Sequence, residues 1–146
     1  MRVSDVMTRA TVTDSPADSL RSAASRMWGY QTGSLLVMSD GELRGILTER
    51  DVMKAVARGM DPETTPVSAI MTARVITVTP ETDITAAARL MADRWIRHLP
   101  VIENEEVVGM LSQRDLVGVL VANLGDSGEG LVRDRRLERL QPGEGD

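Results

Sequence analysis

The chain has 146 residues, 42% of them hydrophobic and 27% charged, which suits one ordinary folded domain or two small ones and not a disordered tail. Seventeen Lys and Arg against 22 Asp and Glu leave a net charge of -5, and aromatics are 2%, so neither a broad basic footprint for nucleic acid nor a stacking platform for single strands is expected. The absence of cysteine excludes disulfides, thiolate catalysis and Cys-ligated zinc, and the single histidine, His98, excludes a multi-His metal centre.

In chain order, the first dozen residues contain no apolar stretch of the secretory kind, and the longest apolar run, residues 117–122, is far too short to cross a bilayer. A cytoplasmic protein with no membrane partner is the expectation. Residues 11–13 read as a short β segment ended by Asp14-Ser15-Pro16. Leu20, Ala23, Ala24 and Met27 then fall at i, i+3, i+4 and i+7, one face of an amphipathic helix. Two apolar runs, residues 35–38 and 43–47, flank Ser39-Asp40-Gly41 and predict a β-hairpin. A second helix starts at Thr48 and carries Val52, Ala55 and Val56.

After a linker, residues 59–66, the whole order returns. Shifted by 64 positions, residues 3–57 align on 67–121 without a gap. Val3-Ser4-x-x-Met7-Thr8 falls on Val67-Ser68-x-x-Met71-Thr72, Pro16 on Pro80, and Leu35-x-Val37 on Leu99-x-Val101. Gly45-x-Leu47-x-x-Arg50-Asp51 falls on Gly109-x-Leu111-x-x-Arg114-Asp115. This is a tandem duplication. It divides the chain into a first repeat (1–58), the linker (59–66), a second repeat (67–123) and a tail (124–146) with glycines at 125, 128 and 130. Residues 131–140, with Arg133, Arg135, Arg136 and Arg139, suggest a short basic helix, either a solvated appendage or a docking element for a neighbouring subunit.

The expected fold class is α/β of the α+β kind: two tandem β-α-β-β-α repeats packed with pseudo-twofold symmetry. A unit of about 55 residues buries too little surface to stand alone. Packing two together leaves two related clefts between the halves, and ligands tend to bind in such junctions.

The residues with most chemistry are Thr48-Glu49-Arg50-Asp51 and Ser112-Gln113-Arg114-Asp115, each following a strand that contains a glycine. One reading is a helix N-cap, in which the hydroxyl accepts from the third N–H and the acid sits at the positive helix end. The other is a nucleotide grip. There the carboxylate accepts from both ribose hydroxyls, the hydroxyl and helix N-terminus suit phosphate, and the glycine lets a ligand approach the backbone. Both readings stay open on the residues alone.

Together these motifs resemble a tandem pair of CBS domains, the Bateman module, over residues 3–121. The resemblance is carried by V-S-D-V-M-T and V-S-A-I-M-T, Pro16 and Pro80, T-G-S-L-L-V and R-H-L-P-V, and G-I-L-T-E-R-D and G-M-L-S-Q-R-D. It implies modules that pair face to face as flat homodimers. It also implies adenosyl ligands in the clefts: AMP, ADP or ATP first, with NAD or S-adenosylmethionine as further members. Carried over by position, Asp51 and Asp115 match ribose-binding aspartates, and Thr48 and Ser112 the ribose-phosphate hydroxyls. The backbone at Thr13 and Thr77 is expected to read the adenine edge, with Val37, Ile46, Val101 and Met110 as apolar walls. Arg97 and His98 match phosphate contacts, and Arg50 and Arg114 either reach phosphate or are solvated. The first repeat has Gly33-Ser34 in place of Arg97-His98, so unequal clefts sharing that pair are expected, with Asp115 the more consequential aspartate. His98 reads equally as a structural imidazole. Trp95 reads as a plug between the halves rather than a cover for adenine.

Three functions compete. The first is a regulatory module whose ligand-dependent geometry a partner protein reads. The second is a structural dimerisation module with unoccupied clefts. The third, an enzyme acting on the nucleotide, lacks a metal cluster, a Walker loop and a nucleophile–base pair, so no catalytic residue is assigned.

Overall fold

The computed structural model describes residues 1–125, so the basic segment at 131–140 lies outside the described residues. After a short 3-10 turn at Val3–Asp5, the elements are β1 (Thr13–Asp14), α1 (Leu20–Tyr30), β2 (Ser34–Ser39), β3 (Glu42–Thr48), α2 (Glu49–Ala57), α3 (Val67–Ile70), α4 (Ile84–Arg94), β4 (His98–Glu103), β5 (Glu106–Ser112) and α5 (Gln113–Gly125). The first long helix starts where the Ser19 hydroxyl accepts from the Ser22 N–H at 3.0 Å, and it buries Leu20, Ala23 and Met27. Its counterpart α4 is capped by Asp83 and buries Ala87 and Met91. Both end on a residue in the left-handed region, Gln31 (φ 52) and Trp95 (φ 56). Each hairpin turns on two residues of positive φ, Asp40-Gly41 and Asn104-Glu105, the geometry that matches the twist of paired strands.

Strands β1, β2 and β3 form one sheet, with β1 parallel and β3 antiparallel to β2. The second sheet pairs β4 with β5, and Val78 adds a parallel bridge to Val101. The β-α-β-β-α order therefore occurs twice, as the patterning predicts.

The repeats exchange their leading segments. Thr8 pairs with Met110 through two backbone hydrogen bonds of 2.9 Å, so the start of the first repeat extends the sheet of the second. Thr72 pairs with Ile46 in the same way (2.9 and 3.0 Å), extending the sheet of the first. The cores follow this exchange. Val3 joins Val78, Ala87, Met91, Leu99, Val101 and Leu111, whereas Val67 joins Ala23, Met27, Leu35, Val37 and Leu47. Each half is thus completed by chain from the other repeat, which ties the two into one folding unit.

One core position differs in kind between the halves. Val78 packs in the second core, and the equivalent residue in the first repeat is Asp14, 8% exposed. Its Oδ1 accepts from the Ser15 N–H at 2.8 Å, while Oδ2 has no hydrogen-bond partner and lies 3.9 Å from Arg26 Nε. Burial, and the proton it can share with Asp18, push the Asp14 carboxyl up from 3.8 to about 6. The same sharing holds Asp18 below its usual range. A carboxyl whose folded pKa is raised binds more protons in the native state, so its contribution to stability is present below about pH 4 and is lost as pH rises to about 6. Asp14→Val, which installs the second repeat's residue, is expected to stabilise the protein at pH 7.5 by about 2 kcal/mol and to flatten the pH 4–6 dependence. Urea melts at pH 4.5 and 7.5 check this; a variant less stable than wild type at pH 7.5 contradicts it.

Candidate functional site

The segment exchange builds two clefts, and both repeats contribute to each. In the first, a cavity of about 710 Å³, Ile46, Thr48 and Asp51 at the β3–α2 turn face the exchanged chain at residues 72–76 and the α4–β4 connection at residues 94–98. In the second, about 380 Å³, Met110, Ser112 and Asp115 at the β5–α5 turn face Thr8 to Val12, residues 31–34, and Arg97 with His98.

Both strand-to-helix turns form the capping geometry. Asp51 Oδ2 accepts from the Thr48 N–H at 2.9 Å and from its hydroxyl at 3.1 Å, and the Asp51 N–H donates to Thr48 Oγ1 at 3.4 Å. Asp115 Oδ2 accepts from the Ser112 N–H at 2.8 Å, and its own N–H donates to Ser112 Oγ at 3.2 Å. Each cap occupies one oxygen of its carboxylate. The other oxygen of Asp51 receives only a long contact, 3.5 Å from the Thr72 hydroxyl across the exchange. Cap and ligand roles are therefore compatible at the same residue.

The structure brings most of the expected residues together. Ile46, Thr48, Asp51, Met110, Ser112, Arg114 and Asp115 all line a cleft, and Arg97 and His98 line both. Val37 and Val101 do not: each is fully buried in its half's core. Thr13 and Thr77 are exposed and outside both linings; the backbone beside the clefts is the chain just before them, residues 8–12 and 72–76. Trp95 is not a plug, since it is 80% exposed at the rim of the Asp51 cleft. The glycines preceding the turns make room for the exchanged chain. A Cβ at Gly45 would meet the Thr72 carbonyl oxygen at 2.9 Å, and one at Gly109 the Thr8 carbonyl oxygen at 2.9 Å. Thr8, Thr72 and Arg74 were not legible in the sequence because their place in the clefts depends on the exchange, and Arg94 because it reaches the Asp51 cleft from the end of α4 only once the halves are packed.

Between the clefts lies a junction of Arg97, His98 and Glu49, residues common to both linings. Glu49 Oε1 is 4.0 Å from Arg97 Nη1, an exposed pair that contributes little by itself. Gly33 leaves room for this junction, since a Cβ there would come within 3.3 Å of both His98 Nε2 and Glu49 Oε1. Burial pulls the His98 imidazole below its ordinary pKa, with Glu49 opposing, so the ring is neutral at pH 7 and offers one donor and one acceptor. Because Arg97 and His98 serve both clefts, their position in the second repeat gives Asp115 no priority over Asp51. Arg50 spans the halves by donating to the Trp95 carbonyl at 3.3 Å. Among the described residues, no group of three or more His, Cys, Asp or Glu converges as metal ligands, and no helix is long and apolar enough to cross a membrane.

Comparison with known proteins bears on the whole described region. A CBS-domain family model matches residues 3–58 and 67–122. The CBS domain-containing protein YhcV of Bacillus subtilis is 36% identical over 115 residues, 78% of this chain and 81% of its own. The CBS-domain containing protein ATU1752 from Agrobacterium tumefaciens has the same fold, with a TM-score of 0.79 at 32% identity, covering 82% of this chain and 99% of that one. The CBS domain pair of protein MJ0100, solved in complex with 5′-methylthioadenosine and S-adenosyl-L-methionine, gives a TM-score of 0.78 at 25% identity over 84% of this chain and 98% of its own. With two matches in register with the internal duplication, this chain belongs to the CBS-domain family as a tandem CBS pair.

Proposed function

We propose that the protein is a cytoplasmic adenosyl-nucleotide-binding regulatory module without catalytic activity of its own. The observation that carries this reading is the construction of each cleft from both repeats around a Thr/Ser–Asp strand-to-helix turn. A ligand there touches both halves at once, so it favours whichever arrangement of the halves it binds better, and a partner protein reads the shift. The carboxylates receive the ribose hydroxyls, Ile46 and Met110 flank the base, and the backbone at residues 72–76 and 8–12 reads its edge. The complexes of the MJ0100 pair with two adenosyl compounds support the ligand class.

A thermal-shift panel of AMP, ADP, ATP, NAD, S-adenosylmethionine and GMP tests this. An adenosyl ligand at a hundred times its dissociation constant should add about 2.7 kcal/mol of stability. AMP should outbind GMP by about tenfold, since reversing donor and acceptor on the base edge leaves buried backbone groups unpaired at about 1–3 kcal/mol each. No shift with any adenosyl compound, or equal shifts with AMP and GMP, contradicts the reading.

The module is proposed to act as a homodimer through helices beside the clefts. Met53 and Val56 on α2, and Val117, Leu120, Val121 and Leu124 on α5, are all more than half exposed, and each helix so presents an apolar stripe that a second copy can cover. Sedimentation at micromolar concentration should give a dimer, and a monomer contradicts it.

A further inference from the structure

The duplication makes each cleft a reference for the other. Arg74 and Arg94 line the Asp51 cleft, and the equivalent residues of the first repeat are Ala10 and Tyr30. The Asp51 cleft is therefore lined by four arginines (50, 74, 94 and 97) against the carboxylates of Glu49 and Asp51. The Asp115 cleft has only Arg97 and Arg114 against Glu49 and Asp115. One cleft has a surplus of two positive charges and the other has none, and the basic one has nearly twice the volume, about 710 against 380 Å³. The Arg74 and Arg94 side chains make no hydrogen bond or ion pair among the described residues, so both guanidinium groups are free to take an anion. The only carboxylates in that lining are already engaged, Asp51 in its cap and Glu49 beside Arg97.

We propose that the two clefts divide the adenosyl ligands by charge: the Asp51 cleft holds a polyphosphorylated one, with Arg74 and Arg94 on its phosphates, and the Asp115 cleft holds one of nucleoside size with little or no net negative charge. The inference rests on the adenosyl reading above. Planar guanidinium groups bind phosphate oxygens in pairs, and a walled cleft of one sign raises the local concentration of the opposite charge. The same surplus of positive charge works against a cationic ligand such as a sulfonium in the Asp51 cleft.

Calorimetry with ATP and adenosine, on wild type and on Arg74→Ala/Arg94→Tyr, tests the division; this variant gives the Asp51 cleft the residues of the first repeat. Both side chains are exposed, and Arg74→Ala alone serves as a second, milder variant. Wild type should bind ATP and adenosine together, neither displacing the other, with ATP affinity falling as salt rises. The double variant should lose at least tenfold for ATP while adenosine changes by less than twofold. Arg89→Ala, an exposed arginine outside both clefts, should change neither. Equal losses for ATP and adenosine, ATP binding as in wild type, or an equal effect of Arg89→Ala overturn the division. Mutual displacement of ATP and adenosine overturns the division alone, whereas wild type binding neither overturns the adenosyl reading with it.

Discussion

Alanine at Gly109 is expected to cost about 2 kcal/mol of stability, although glycine-to-alanine changes in regular structure more often help. The cost arises where the exchanged chain crosses β5. The new Cβ would lie 2.8 Å from Met7 Sδ and 2.9 Å from the Thr8 carbonyl oxygen. The sulfur can move, but the carbonyl is fixed by its own hydrogen bond from the Met110 N–H. The strand pair must therefore spread or break. Gly45 repeats the situation against Met71 and Thr72, at 2.7 and 2.9 Å. The two substitutions should be additive, because they press on different cores. Gly29 and Gly118 supply the contrast, for each lies in a helix with nothing within 4 Å of an added Cβ. Alanine at either should stabilise by up to about 1 kcal/mol. Urea denaturation of the four single variants checks the contrast. Gly45→Ala and Gly109→Ala as stable as wild type would mean that the exchanged segments do not sit against β3 and β5.

Asp51→Ala carries the other large effect. Loss of the cap and of the helix-end charge should lower stability by about 1 kcal/mol. Loss of the ribose contact should weaken ATP by at least tenfold, since hydrogen bonds to a charged group are worth roughly 1.5–3 kcal/mol each. Asp115→Ala should show a similar stability loss, because its cap has the same form. A pure cap would give destabilisation with ATP affinity unchanged, and measuring both quantities on each variant distinguishes the two cases.

How much of this was legible in the sequence follows from which features the duplication preserves. Helix faces, hairpins and turn residues recur at the same offsets in both repeats, and local patterning places them within one or two residues. The exchange was not legible for a related reason. Val3-Ser4-x-x-Met7-Thr8 and Val67-Ser68-x-x-Met71-Thr72 are nearly the same segment, so either could complete either core, and periodicity does not choose between them. That choice decides which backbone lines a cleft, which is why Thr13 and Thr77 were expected where residues 8–12 and 72–76 lie. Val37 and Val101 look like pocket walls by position, but each is fully buried in its half's core, and the unbroken apolar runs 35–38 and 99–102 do not show which side chains face a cleft. Asp14 is the opposite case. The mismatch of Asp with Val78 was visible in the alignment of the repeats, yet only packing shows that the carboxylate is buried.

The central claim is that the turn carboxylates hold ribose in clefts shared by both repeats. Calorimetry of ATP and 2′-deoxy-ATP on wild type and Asp51→Ala tests it most directly. Wild type should prefer the ribose form by about tenfold, the value of one hydrogen bond to a charged acceptor. Asp51→Ala should bind both forms weakly and alike, because the hydroxyl has already lost its partner. Equal affinity of wild type for the two ligands would contradict the claim and leave Asp51 as a helix cap alone.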